Sequence, residues 1–211
     1  MDPMKNRINV IAAGLPPARE ALEKTGFLVF NPFLDANALS EEDICAAFIG
    51  RLKEKDIKKV DNLVIYSMAG GYASLAINKY PEMFDKIILL DSIGMSRLSW
   101  PGYVFRLFRQ YPVMLIWHFN AVREYLTLLK TQRKKVFSLT KLIISFRSET
   151  LFARLKGRNM IAVHAKNDTL ISFRQAQKTA QKYKVEIKEY PGNHFTVLRN
   201  PMLIPIFVNP D

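Results

Sequence analysis

The sequence predicts an α/β protein: a mostly parallel sheet of about six strands flanked by helices, broken by one basic, helical insert. Three observations predict it. Short apolar runs recur along the chain and alternate with amphipathic, helix-compatible stretches. Most of these runs are apolar along their length, as strands covered on both faces must be. A single segment, 96–158, departs from this alternation in charge and in aromatic content.

The elements follow in order. Ile8 to Ala13 reads as a buried strand ending at Gly14. Pro16 to Lys24 reads as a short helix with proline near its start, closed by Gly26. Phe27 to Phe30 is a second strand, stopped by Asn31-Pro32. Ser40, with Asp43 three residues on, is an N-cap signature, and the helix behind it places Ile44, Phe48 and Leu52 on one face. Leu63 to Tyr66 is the third strand, followed by a helix from Tyr72 to Tyr80 that stops at Pro81. Ile87 to Leu90 is the fourth strand, ending at Asp91. The alternation resumes at Met160 to His164, continues with a polar-faced helix from Phe173 to Tyr183, and finishes with a strand from Val185 to Tyr190 and a Pro191-Gly192-Asn193-His194 turn. The expected division is a core of residues 1–95 and 159–211 and an insert of residues 96–158.

The chain has 211 residues, enough for one ordinary core, and about half of them are hydrophobic, which excludes a disordered chain. The N-terminal apolar stretch is too short for a signal peptide, and no run approaches the roughly 18 apolar residues of a membrane span. Cys45 is the sole cysteine, so no internal disulfide is possible; a reducing, cytoplasmic setting is expected. Its place in an amphipathic helix reads as a buried thiol. The net charge of +12 is uneven: segment 96–158 holds thirteen basic and two acidic residues and eleven of the 24 aromatics, against 18 basic and 17 acidic residues elsewhere.

The chemistry begins at Leu63-Val64-Ile65-Tyr66-Ser67-Met68-Ala69-Gly70-Gly71. A strand that turns sharply into a helix at a serine lifts the hydroxyl above the sheet edge and aims the first helical N–H groups beside it. A serine hydroxyl needs a base, and the base needs an orienting acid. Of three histidines, His118 sits among apolar insert residues, His164 ends a buried strand and reads as structural, and His194 sits in a turn from which it can reach across the sheet edge. The acid candidates are Asp168, Asp91 and Asp35. Each also reads as ordinary turn chemistry. Ser67, Asp91, Asp168 and His194 all fall at carboxyl ends of strands, where open α/β sheets bind ligands.

Together these segments resemble the α/β-hydrolase family. Tyr66-Ser67-Met68-Ala69-Gly70-Gly71 is similar to its nucleophile elbow. Tyr80-Pro81-Glu82 through Ile87-Ile88-Leu89-Leu90-Asp91 is similar to its next helix end and strand. His164-Ala165-Lys166-Asn167-Asp168 is similar to its acid loop, and Pro191-Gly192-Asn193-His194-Phe195 with Asn200-Pro201 to its histidine loop. The order Ser67, Asp168, His194 is the family order. The resemblance covers everything but the insert, which falls where the family carries a variable helical cap. It implies Ser67 as nucleophile, His194 as general base and Asp168 as orienting acid, with Asp91 as fallback acid. It implies an oxyanion hole from the N–H of Met68 and one from Gly14 or Leu15, Leu15 being the better match; Pro16 and Pro17 have no N–H. Ile65 stands where the family has a small residue, Ala13-Gly14 where His-Gly is common, and the family's leading antiparallel strands are not evident.

The implied activity is cleavage of a carboxylic ester or thioester through an acyl-enzyme. No phosphate loop, metal-ligand cluster or dinucleotide fingerprint is evident, so no cofactor or metal is expected. In the cap, Trp100, Arg106, Arg109, Trp117 and Arg123 are the candidate substrate-binding residues, and the aromatics serve equally well as packing. The basic excess suits an acyl substrate with an anionic group, an acidic carrier protein or an anionic membrane surface; nucleic acid is not expected, because no recognition motif accompanies the charge. Two other functions fit the same sequence, a non-catalytic hydrolase-fold binding protein and a lipase-like enzyme docked on anionic membrane.

Overall fold

The computed structural model describes residues 7–14, 18–36, 40–96, 101–102, 105–106 and 119–208. Six strands form one parallel sheet: β1 (Asn9–Ala12), β2 (Leu28–Phe30), β3 (Val60–Tyr66), β4 (Phe84–Leu90), β5 (Asn159–Ala165) and β6 (Glu186–Tyr190), in the order β2-β1-β3-β4-β5-β6. The helices are α1 (Ala18–Glu23), α2 (Pro32–Asp35), α3 (Glu41–Glu54), α4 (Gly70–Lys79), α5 (Phe119–Thr131), α6 (Arg133–Ser145), α7 (Ser148–Arg154), α8 (Phe173–Tyr183), α9 (Thr196–Arg199) and α10 (Leu203–Val208).

Strand alternation divides the core in two. Val10, Ala12, Leu63, Ile65, Ile87 and Leu89 belong to the apolar layer shared with α3, α4 and α6. Their neighbours Ile11, Val64, Tyr66, Ile88, Leu90 and Val163 belong to the layer shared with Leu22 of α1 and Val197 and Ile204 near the C-terminus. A period of two sends successive side chains to opposite faces, and both faces of the central strands are roofed, which is why those strands read as apolar runs, whereas edge strand β6 is mostly exposed and alternates.

The helices form where the sequence supplies both a cap and a stripe. The hydroxyl of Ser40 accepts from the Asp43 N–H (3.1 Å) at the start of α3, and Ile44, Phe48 and Leu52 are buried one turn apart. In α6, Val136, Leu139 and Ile143 form the buried stripe that seats the insert on the core. The chain runs from β1 out to β2 and returns to the other side of β1 as β3. That reversal makes a switch point, and the crevice beyond the carboxyl ends of β1 and β3 is where this topology places a site.

Several boundaries differ from the sequence reading. The first helix spans Ala18–Glu23, the remainder of its expected start lying outside the described residues. The helix after Ser67 starts at Gly70, behind a 3₁₀ turn over Ser67–Ala69. Among the described residues, no helix is long and apolar enough to cross a membrane.

Candidate active site

Ser67 is the first residue beyond β3. Its φ of +54° lies in the left-handed region that β-carbon sterics disfavour. The sharp turn is therefore present with Ile65 in place. Ile65 is fully buried in register with Ala12 and Leu89, and it shares its apolar layer with Ala12, Ala69 and Ala73, whose small side chains leave room for it. The turn is tight on its far side as well: a β-carbon at Gly70 would stand 2.6 Å from the carbonyl oxygen of Ile93. The Ile93 N–H donates to the Ser67 carbonyl (2.8 Å), tying the elbow to the loop after β4.

His194 Nε2 lies 2.8 Å from Ser67 Oγ, and His194 Nδ1 lies 2.7 Å from Asp168 Oδ2. Ionised carboxylate oxygens only accept, so Nδ1 carries the proton and donates it to Asp168. Nε2 is then left to accept from the serine hydroxyl. Asp168 is itself fixed: its Oδ1 accepts from the N–H groups of Leu170 and Ile171, both at 2.8 Å. The acid and histidine loops are stitched together by Lys166 N–H to the Tyr190 carbonyl and Asn167 N–H to the Gly192 carbonyl, each 2.9 Å. The His194 ring stacks on Tyr66 at 5.6 Å between centroids, while the Tyr66 hydroxyl donates to the His194 carbonyl (2.7 Å). Burial pulls the His194 pKa down, but the charge and hydrogen bond of Asp168, with the charge of Asp91, outweigh it and leave a net rise.

No family model matches the sequence, and no curated protein matches it. Solved structures do. An α/β hydrolase from a Medee basin deep-sea metagenome superposes with a TM-score of 0.63 at 13% identity, covering 97% of this chain and 88% of that one. A carboxylesterase from the thaumarchaeon Nitrososphaera gargenis gives 0.63 at 14%, covering 96% and 88%. A serine hydrolase from Cycloclasticus zankles gives 0.63 at 15%, covering 96% and 90%. The chain has the α/β-hydrolase fold.

Within this α/β-hydrolase fold, Asp91 does not orient His194. Its Oδ1 accepts from the Ala165 N–H (2.8 Å) and its Oδ2 from the Tyr190 hydroxyl. Asp91 is fully buried, and burial drives its pKa up to about 6, with His164 pulling it back and Asp168 adding to the rise. Asp35, the third acid candidate, caps α2 by accepting from the Asn31 N–H (2.7 Å) and pairs with Arg19 (2.9 Å). His164 is buried between the two site carboxylates. Its Nε2 lies 2.6 Å from the Ile171 carbonyl, so that nitrogen carries a proton; Nδ1 faces Asp91 Oδ1 at 3.6 Å with no hydrogen bond. Asp91, His164 and Asp168 offer three ligand-type atoms within 4.8 Å of one another. Both Asp168 oxygens and both Asp91 oxygens are already engaged by N–H and O–H donors from the protein, which is the chemistry of a proton-linked network.

Met68, which follows Ser67, is buried, and its side chain occupies the space a β-carbon on Gly14 would need, the nearest atom standing 1.6 Å away. Leu15 lies outside the described residues, as do Trp100, Arg109, Trp117 and His118. Arg106 donates to the Leu170 carbonyl (2.8 Å) beside the acid loop, and Arg123 is solvent-exposed on α5. Sequence reasoning missed Tyr66 and Tyr190 as site residues. Each is an aromatic ending an apolar strand, and only the sheet order reveals that their hydroxyls meet His194 and Asp91. A pocket of about 190 Å³ opens between the sheet side and the insert, lined by Met68, Tyr72, Ile93, Leu139, Ile143 and Phe146, with Glu41 at its wall.

Proposed function

We propose that this protein is a serine hydrolase that cleaves a carboxylic ester or thioester through an acyl-enzyme. The observation that carries it is the continuous hydrogen-bonded chain from Ser67 Oγ through His194 to Asp168, with Ser67 held at positive φ. In this reading Ser67 Oγ attacks the carbonyl carbon as its proton passes to His194 Nε2. Asp168 stabilises the imidazolium so formed. The tetrahedral oxyanion is received by the Met68 N–H and by one from Gly14 or Leu15, and the close approach of Gly14 to Met68 supports that pairing. His194 returns the proton to the leaving alkoxide or thiolate. Water, activated by the same nitrogen, then releases the acid.

The insert acts as the cap. The pocket beside Met68 has a mixed lining, with Tyr72, Ile93, Leu139, Ile143 and Phe146 beside Glu41, Ser145 and Thr150, and Glu41 is bound by Arg154 at 2.8 Å; with no free cation in this lining among the described residues, an uncharged acyl group suits it better than an anionic one. A cavity of about 150 Å³ lined by aliphatic residues takes a benzene. At about 190 Å³ this pocket accommodates a short acyl or phenyl group. A binding-only role is less well supported, because His194 faces Ser67 and the elbow is strained.

A fluorophosphonate probe is expected to label the folded wild-type chain and to leave Ser67→Ala unlabelled. A folded wild type that takes up no probe would sink the assignment.

A further inference from the structure

The two helices α5 and α6 repeat one outward pattern. Arg123, Leu126 and Lys130 stand at i, i+3 and i+7 on α5, and Lys134, Phe137 and Lys141 stand at i, i+3 and i+7 on α6; all six side chains are exposed. Leu126 is 51% and Phe137 63% exposed. Each apolar side chain thus sits on one helical stripe between two cations. Beside Phe137 runs a broad surface groove of about 570 Å³, lined by Ser138, Lys141, Ile144, Ser145 and Arg147 as well.

Elsewhere among the described residues some cations are paired and others, such as Lys24, Lys58 and Lys178, meet no carboxylate. Arg19, Arg51, Lys59, Lys166, Lys182 and Lys188 each meet a carboxylate. Among the described residues, Arg123, Lys130, Arg133, Lys134 and Lys141 meet none. Unpaired cations side by side repel one another, and a surface that keeps them while exposing leucine and phenylalanine matches an anionic, partly apolar partner. A bilayer with acidic headgroups is such a partner: the cations pair with headgroup phosphates and carboxylates while the apolar tips enter between them. A polyanion such as nucleic acid would use the cations but leave the apolar stripe wet. We propose that the outer face of the α5–α6 hairpin docks this protein on an anionic lipid surface, with Phe137 and Leu126 as apolar anchors and Arg123, Lys130, Lys134 and Lys141 as headgroup contacts.

The proposal does not require the hydrolase reading, and its test separates the two. The full chain is sedimented with vesicles of phosphatidylcholine alone and of phosphatidylcholine with about one third phosphatidylserine. Binding is expected to the second only, to be reversed by about 0.5 M salt, and to be unchanged by Ser67→Ala. Each cation removed is expected to weaken partition about fivefold, so Lys134→Glu with Lys141→Glu should abolish sedimentation, while Phe137→Ser should weaken binding and keep its salt dependence. These side chains are exposed, and an unchanged thermal midpoint confirms that the variants fold. Equal binding to both vesicle types, no binding to either, or equally tight binding to duplex DNA at the same salt would each overturn the assignment.

Discussion

At the scale of single residues, two buried carboxylates beside Ser67 and His194 differ in what holds them. Asp168 accepts two backbone N–H bonds and the hydrogen bond from His194 Nδ1. Asp91 is equally buried but lies one strand away, facing the bare Nδ1 of His164 across 3.6 Å. Its pKa of about 6 in the folded state compares with about 3.9 for an unfolded chain. The native state therefore binds the Asp91 proton more tightly, and the stability this gives is full below about pH 4 and is lost as pH rises through about 6. A shift of about two units corresponds to about 3 kcal/mol. Asp91→Asn removes that dependence. The stability of the variant relative to wild type is expected to improve by about that amount between pH 4 and pH 7, read from urea unfolding at both values. A constant difference across that range would show that Asp91 is already ionised in the native protein at low pH.

At the scale of elements, the turn at Ser67 is set by three segments pressing together: the end of β1, the end of β3 and the start of α4. The contact between β1 and the elbow is the absence of a side chain at Gly14, into which Met68 fits. Gly14→Ala would put a β-carbon 1.6 Å from Met68 Cγ and 2.9 Å from its Cβ, so Met68 must move and its backbone with it. Loss of one oxyanion donor costs about 10²-fold in kcat. Gly14→Ala is expected to lower kcat by about that factor, with KM less affected, and Met68→Ala in the same chain should restore much of it. A double variant as slow as the single one would place the defect elsewhere. The strands around this turn were legible in the sequence because each is a run apolar enough to be buried on both faces. Short helices such as Pro32–Asp35 and Leu203–Val208 were not, because one to two turns carry too few periods to reveal a face. The 3₁₀ turn at Ser67 was hidden for a related reason: its shape is imposed by β1 and by the loop after β4, not by its own residues.

At the scale of the whole molecule, what could be read in advance was what depends on chain order, and what could not was what depends on neighbours across the sheet. Ser67, Asp168 and His194 follow one another at strand ends, so their meeting was foreseeable. The contacts of Asp91 with Tyr190 and of Tyr66 with His194 join residues 99 and 128 positions apart, and only the order of the strands brings them together. The charge could be counted but not placed. With the sheet and helices known, the exposed, unpaired cations of α5 and α6 lie outward, whereas the described lining of the pocket beside Met68 has no lysine or arginine, and Glu41 stands at its wall. Among the described residues, the outward cations of α5 and α6 and the proposed acyl pocket are thus separate features. If so, ionic strength should divide them. Hydrolysis of a neutral, soluble short-chain acyl ester is expected to change by less than about twofold in kcat/KM between low salt and about 0.5 M salt, because no long-range field steers an uncharged substrate. An anionic ester of the same acyl group would show the same indifference if it meets only this pocket. A rate for that anionic ester that falls about tenfold with salt, and less steeply in Arg106→Ala, would place cations of the insert at the pocket mouth and return the charge to substrate binding.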